Sequence, residues 1–182
     1  MAINEALLKR LIETSGVSGR EEQQREIARE ELDSLTDEVR TDALGSVIGT
    51  KKGSGDARVM VAAHTDEIGY LVKHVDDKGF VRLHTLGGHD PANMVSQRVL
   101  ITTADGETLR GALQPARKPP HLSHGEEQKP PKADEFYVDL GMNAETVKEK
   151  VRIGDYAVMD RTLEKVGRPT SARRWTTASA SS

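Results

Sequence analysis

The sequence predicts an α/β layer joined to a small, barrel-like all-β module. Three observations carry this. Apolar residues recur at helical spacing before residue 36. An almost continuous apolar run, Arg58 to Ala63, follows, as a strand buried on both faces requires. After Gly69 the chain breaks into short strand-like segments separated by glycine turns. Helices first, then strands with one of them buried, read as part of an α/β layer.

In chain order, Asn4 can cap a first helix whose apolar face is Leu7, Leu8, Leu11 and Ile12, and which Gly16 ends. Ser18 and Glu21 have capping-box spacing ahead of a second helix, with Ile27, Ala28, Leu32 and Leu35 on one face. Each helix therefore covers something on one side only. Val39 to Thr41 and Ser46 to Lys51 are short strands, and Gly53-Ser54-Gly55-Asp56 is a turn. Arg58 to Ala63 is the expected central strand and delivers the chain to His64. In the β module, Tyr70–Val75, Phe80–His84, Gln97–Thr103 and Thr108–Leu113 are strands, with Asp77-Lys78-Gly79 and Asp105-Gly106 as hairpin signals. The loop from Gln114 to Glu135 holds five of the seven prolines and is neither helix nor central strand. Phe136 to Leu140 returns to strand, Asn143 caps a helix over Ala144 to Lys150, and Asp155 to Met159 is a last strand. The final stretch carries the sole tryptophan, Trp175, and no aliphatic side chain larger than Ala. It has no helical or strand period and is expected to be a disordered tail.

The bulk numbers bound the function. At 182 residues the chain makes one ordinary domain or two small ones. Aromatics are only 3%, so the core is built from Val, Leu, Ile and Ala. A net charge of -3 with mixed signs gives no reason to expect nucleic acid or an acidic membrane surface as partner. With no cysteine, disulfides and thiolate metal sites are excluded. The charged, amphipathic start lacks the apolar run of a signal peptide, and no stretch is long enough to span a bilayer, so a cytoplasmic location is expected.

The chemistry-bearing residues are His64 and Asp66, in His64-Thr65-Asp66-Glu67. In an extended segment residues two apart share a face, so the pair projects together from a strand end, where α/β sheets keep their sites. An imidazole can bind a metal through one ring nitrogen while a neighbouring carboxylate holds the other. A bare His-x-Asp is also ordinary in a solvated loop, and one His cannot make a zinc site, which draws on three or four protein ligands. His74 and His84 read as surface residues on strands, His89 and Asp90 as turn chemistry, and His121 and His124 fall in the proline-rich loop. No phosphate-cradling glycine loop or serine elbow is present.

In their order along the chain, LLKRLIETSGVSGREE, DALGSVIGTKKG, VMVAAHTDEIGYLV, GFVRLHTLGGHDP, QRVLITTADGETLRGAL, KPPHL and FYVDLGMNAETVKEKVRIGDYAVMDR resemble metallopeptidase family forty-two. These are the glutamyl and deblocking aminopeptidases, also called endoglucanase M. The likeness covers residues 7 to about 167. It implies a split architecture. Residues 1–69 begin an incomplete α/β co-catalytic peptidase domain, 70–162 form an inserted β-barrel domain serving oligomer contacts, and 163–182 return and end in the tail. It also implies hydrolysis of peptides from a free N-terminus by two divalent metal ions, zinc or cobalt, in a homo-oligomer. By position, His64 matches a metal ligand and Asp66 matches the acid that orients it. The remaining ligands and the general-base glutamate lie beyond the matching residues.

Past Gly167 the family continues into a segment like Gly-Lys-Ala-Leu-Asp-Asp-Arg. Residues 171–181 can be encoded so that a shifted frame yields that segment, which points to a frameshift close to Arg168. On this reading the chain has no peptidase activity of its own. Its first helices and the strand ending at His64 leave apolar faces uncovered, while the β module is the more self-contained part. A non-catalytic oligomerisation or binding module built on the barrel is the competing reading. Cellulase action finds no supporting carboxylate pair.

Overall fold

The computed structural model describes residues 4–116, 131–165 and 175–177. Helix α1, Glu5–Glu13, starts where Asn4 accepts a hydrogen bond from the Leu7 amide at 3.1 Å. Helix α2, Glu22–Asp33, is capped by Glu21, and its side chain makes no cap hydrogen bond to the helix. The expected Ser18–Glu21 capping box therefore does not form. Glu21 instead accepts from the Gly19 amide at 2.8 Å.

The two helices are joined by a buried amide. Gln24, on α2, donates through Nε2 to the carbonyls of Leu11, at 2.9 Å, and Thr14. These are carbonyls that the end of α1 leaves without helical partners. No residue of α1 is buried, so this link matters more than its packing. Helix α2 lies over an antiparallel pair, β1 (Glu38–Thr41) and β2 (Val47–Thr50), and Arg25 Nε ties it to the Gly45 carbonyl at 2.9 Å.

The expected central strand is not one here. Residues 58–63 form no strand and have no ladder partner among the described residues, and Val59, Met60 and Val61 are 89%, 89% and 92% exposed. An apolar run becomes a buried strand only between neighbouring strands, and among the described residues none pairs with it. The uncovered apolar face expected for this part is therefore present.

From Gly69 the chain closes on itself. Strands β3 (Gly69–Val75), β4 (Val81–Leu86), β5 (Gln97–Thr102), β6 (Thr108–Pro115), β7 (Phe136–Asp139) and β8 (Tyr156–Met159) form a closed antiparallel barrel in the order β3-β4-β7-β6-β5-β8. Alternate residues point inward: Val81 and Leu83, Val99 and Ile101, Leu109 and Leu113, Phe136 and Val138 are all buried. The inward position between Leu109 and Leu113 is Gly111. A Cβ there would lie 2.3 Å from Val138 Cγ1 and 3.0 Å from the Asp139 carbonyl, so only glycine fits. The β3–β4 turn is held by Asp76, whose Oδ1 accepts from the amides of Lys78 (3.0 Å) and Phe80 (2.9 Å). Helix α3, Ala144–Lys150, capped by Asn143 at 2.9 Å, sends Val147 into the barrel core. Buried Asp155 accepts from the Ala104 amide at 3.0 Å and the Arg152 amide at 2.8 Å, fixing the approach to β8.

Beyond the barrel, two short strands, β9 (Leu163–Lys165) and β10 (Trp175–Thr177), pair antiparallel. This corrects the expectation of an unstructured tail at residues 175–177. Backbone pairing needs no apolar period, so the sequence gives it no signal. The rest of the tail, including the frameshift position near Arg168, lies outside the described residues, as do His121 and His124. No helix among the described residues is long and apolar enough to cross a membrane.

Candidate metal centre

The site is built where two remote segments meet. Between α1 and α2 the chain makes a tight turn, Val17-Ser18-Gly19-Arg20, closed by the Arg20 amide to the Val17 carbonyl at 2.8 Å. Gly19, third in the turn, has φ +84°, a conformation that favours glycine. Fully buried Val17 anchors the turn. The Glu67 amide donates to the Gly16 carbonyl at 2.8 Å, and Val17 and Glu67 form a parallel bridge. The turn is thereby stitched beside His64-Thr65-Asp66-Glu67.

That juxtaposition produces a chain of three side chains. His64 Nδ1 lies 3.0 Å from Asp66 Oδ1 and 2.9 Å from the Asp66 carbonyl oxygen. The other carboxylate oxygen of Asp66, Oδ2, accepts the hydroxyl of Ser18. The Ser18 hydrogen bond lowers the Asp66 pKa most. Burial works against it and His64 adds to it, leaving the carboxyl below its usual range. An ionised Asp66 can only accept, so Nδ1 carries the proton and Nε2 keeps its lone pair. The His64 side chain is 86% exposed and that of Asp66 31%. The arrangement offers one basic, oriented imidazole nitrogen to something outside it.

His64 faces a groove of about 740 Å³ walled by α1 and α2 (Leu7, Leu11, Ile27, Leu32) and by the barrel rim (His89, Arg161). Glu67 also lines it. Although the residue is open to solvent, loss of water around its carboxyl among these walls pushes it up to about 7. A backbone hydrogen bond at Gly16 and the charge of Arg161 oppose that rise. His89 is not a candidate ligand, because both its nitrogens are used. Nε2 donates to the carbonyls of Gly69 (3.0 Å) and Leu86 (3.2 Å), and Nδ1 accepts the Tyr70 hydroxyl at 3.1 Å. The rings lie 4.4 Å apart. Burial raises the Tyr70 pKa, so the phenol keeps the proton it donates. Asp90 caps the turn at Pro91–Met94 through the Ala92 amide at 3.0 Å.

The structure thus brings His64 and Asp66 together and adds Ser18 and Glu67, which sequence reasoning missed. The spacing of Ser18 to Glu21 suggests a capping box instead. The partner of Ser18 lies 48 positions away, a distance at which no local pattern reports. No group of three or more His, Asp or Glu side chains converges to hold a metal among the described residues.

The sequence profile of the M42 glutamyl aminopeptidases matches residues 45–175. The chain belongs to that family. It is 37% identical over 155 residues to the lysyl aminopeptidase of Pyrococcus furiosus, covering 81% of this chain and 43% of that protein. Among solved structures it is similar to the aminopeptidase APDkam598 from the archaeon Desulfurococcus kamchatkensis, with TM-score 0.81 and 37% identity over 90% of this chain and 44% of the other. It is also similar to the Pyrococcus horikoshii TET1 peptidase, which can assemble into a tetrahedron or a large octahedral shell. There the TM-score is 0.75 at 30% identity, covering 88% of this chain and 47% of that one. The chain spans less than half the length of these relatives. The M42 profile runs past Arg168 to Trp175, a little beyond where the sequence motifs stop.

Proposed function

We propose that this chain is part of a metal-dependent aminopeptidase, that His64 is one ligand of a divalent metal, zinc or cobalt, and that Asp66 orients it. The observation that carries this is the Ser18–Asp66–His64 arrangement, with Nε2 of an exposed imidazole bonded to none of the described residues, in a chain of the M42 family. The substrates are peptides with a free N-terminus, and the location is cytoplasmic.

The described residues fit one arm of such a centre and not the whole. A zinc site draws on three or four protein ligands, and here a single imidazole presents itself. A bound metal pair supplies a Lewis acid and an activated water. This chain supplies the oriented nitrogen and, through Glu67, a carboxyl that changes charge near neutrality. We therefore hold that these 182 residues hydrolyse no peptide by themselves. The test is an aminoacyl-anilide assay on the purified chain with added zinc or cobalt. No turnover is expected. Turnover that disappears in His64→Ala would reject the inactivity and leave the ligand role intact.

A second reading is favoured by the closed barrel from Gly69 to Met159 and by the assemblies of the TET1 relative. In this reading the inserted barrel, residues 70–162, serves homo-oligomer contacts. Sizing of the intact chain checks it, and a monomer at all concentrations would end it. The frameshift near Arg168 is supported by the codon reading of the tail. Sequencing the gene across that point decides it, and a frame that cannot be restored to the family motif would remove it.

A further inference from the structure

We infer that Ser18 is a positioning residue for His64: it holds Asp66 by Oδ2 so that Oδ1 keeps the imidazole proton on Nδ1 and leaves Nε2 as the ligating atom. The inference rests on the reading of His64 as a metal ligand and deepens it.

The argument is one of degrees of freedom. A carboxylate that binds only through Oδ1 can rotate about its Cβ–Cγ bond and exchange its two oxygens. Engaging both oxygens removes that freedom. Here each oxygen has its own partner, one from the turn at Val17–Arg20 and one from His64. The turn supplies Ser18 from a fixed place. Its backbone is closed by the Arg20–Val17 hydrogen bond at 2.8 Å and shaped by Gly19 at φ +84°. It is also held against the Asp66 segment by the Glu67–Gly16 hydrogen bond at 2.8 Å. Buried Val17 prevents it from sliding. Ser18 has no helix-capping duty to explain its presence, because α2 is capped by Glu21. The hydroxyl has donated its one proton to Asp66, which leaves that carboxylate an acceptor for imidazole N–H on its other oxygen.

The His64 side chain is itself 86% exposed, so little packing fixes its orientation. Its tautomer is therefore set by what Nδ1 meets. The Asp66 carbonyl oxygen, at 2.9 Å, accepts from the same Nδ1 and reinforces the same proton placement. Ser18 acts one step further out, through Asp66, and touches no reacting group.

The test uses the whole chain with nitrogen-15 imidazole spectra, the His64 signals being assigned with His64→Asn. In the parent protein His64 is expected as the Nδ1–H tautomer. In Ser18→Ala the share of that tautomer should fall without vanishing, because the Asp66 carbonyl still accepts from Nδ1, and Ser18→Thr, which keeps the hydroxyl, should restore it. Ser18 is exposed, so its loss should leave the melting temperature unchanged and separate positioning from folding. Zinc titration of the same samples should perturb Nε2 in the parent. Binding in Ser18→Ala should weaken by less than the roughly tenfold that loss of an orienting carboxylate brings. An unchanged His64 tautomer in Ser18→Ala would overturn the inference while leaving any zinc effect standing. An altered tautomer, with Nε2 of the parent indifferent to zinc, would end the metal reading and keep the positioning.

Discussion

The β-barrel and the first 68 residues are made from similar apolar segments, yet one half is closed and the other open. In the barrel each strand has two neighbours, and its inward residues meet one another. In the first part, the apolar run Val59-Met60-Val61 lies in water. The difference is one of partners, not composition. β5, with Val99 and Ile101 buried, is no more hydrophobic than residues 58–63, but β6 and β8 flank it. The expectation that the β module would be the more self-contained part agrees with this geometry.

The comparison can be broken by finding that both parts melt together. Its sharpest probe is Phe136→Ala, which empties a fully buried ring from the barrel and should cost about 4 kcal/mol. Urea unfolding followed by amide exchange should show the loss confined to residues 69–159; equal loss in α1 and α2 would mean a single cooperative unit. Gly111→Ala should come next, at about 2 kcal/mol, because its methyl meets Val138 and the Asp139 carbonyl. A neutral result there would say that β6 and β7 can move apart.

Smaller effects belong to the open part. Burial raises Glu67, so the folded chain holds its proton more tightly than the unfolded chain, whose carboxyl titrates near 4.5. That contribution to stability is whole below about pH 4.5 and disappears as pH climbs through about 7. Glu67→Gln should remove this fall, raising the melting temperature above about pH 8 and leaving it little changed near about pH 4. Solvent at Glu67 keeps the change small. An identical pH profile for the variant would mean that the groove does not exclude water from the carboxyl. Least of all, Val61→Thr should move stability by no more than about 0.5 kcal/mol, since none of the described residues covers Val61. A loss as large as that of a core valine, in melts of the purified chain, would show that something does.

The barrel was legible because its strands alternate and its turns carry Asp-Gly and Asp-Lys-Gly, so β5, β6 and the cap of α3 fall within a residue or two of expectation. The neighbours β4–β7 and β3–β8 were not legible. They join residues far apart in sequence, which no local pattern encodes. Arg58 to Ala63 was misread for the same reason in reverse, since a run can say it is apolar but not what lies beside it. That His64 and Asp66 project together was legible because their spacing is local. Ser18 was missed because its contact is remote, and because a serine three residues ahead of a glutamate carries a stronger local meaning.

Gln24 shows how the open half keeps its shape without a core. Its uncharged carboxamide clamps the frayed end of one helix to the flank of the next. The surface ion pair spanning the same helices, Arg10 with Glu30 at 2.6 Å, weakens as electrolyte is added. The clamp has no charge to screen and no proton to lose. The mutual angle of the two helices should therefore survive strong brine and mild acid alike, and the shelf on which the Val17–Arg20 turn rests should survive with it.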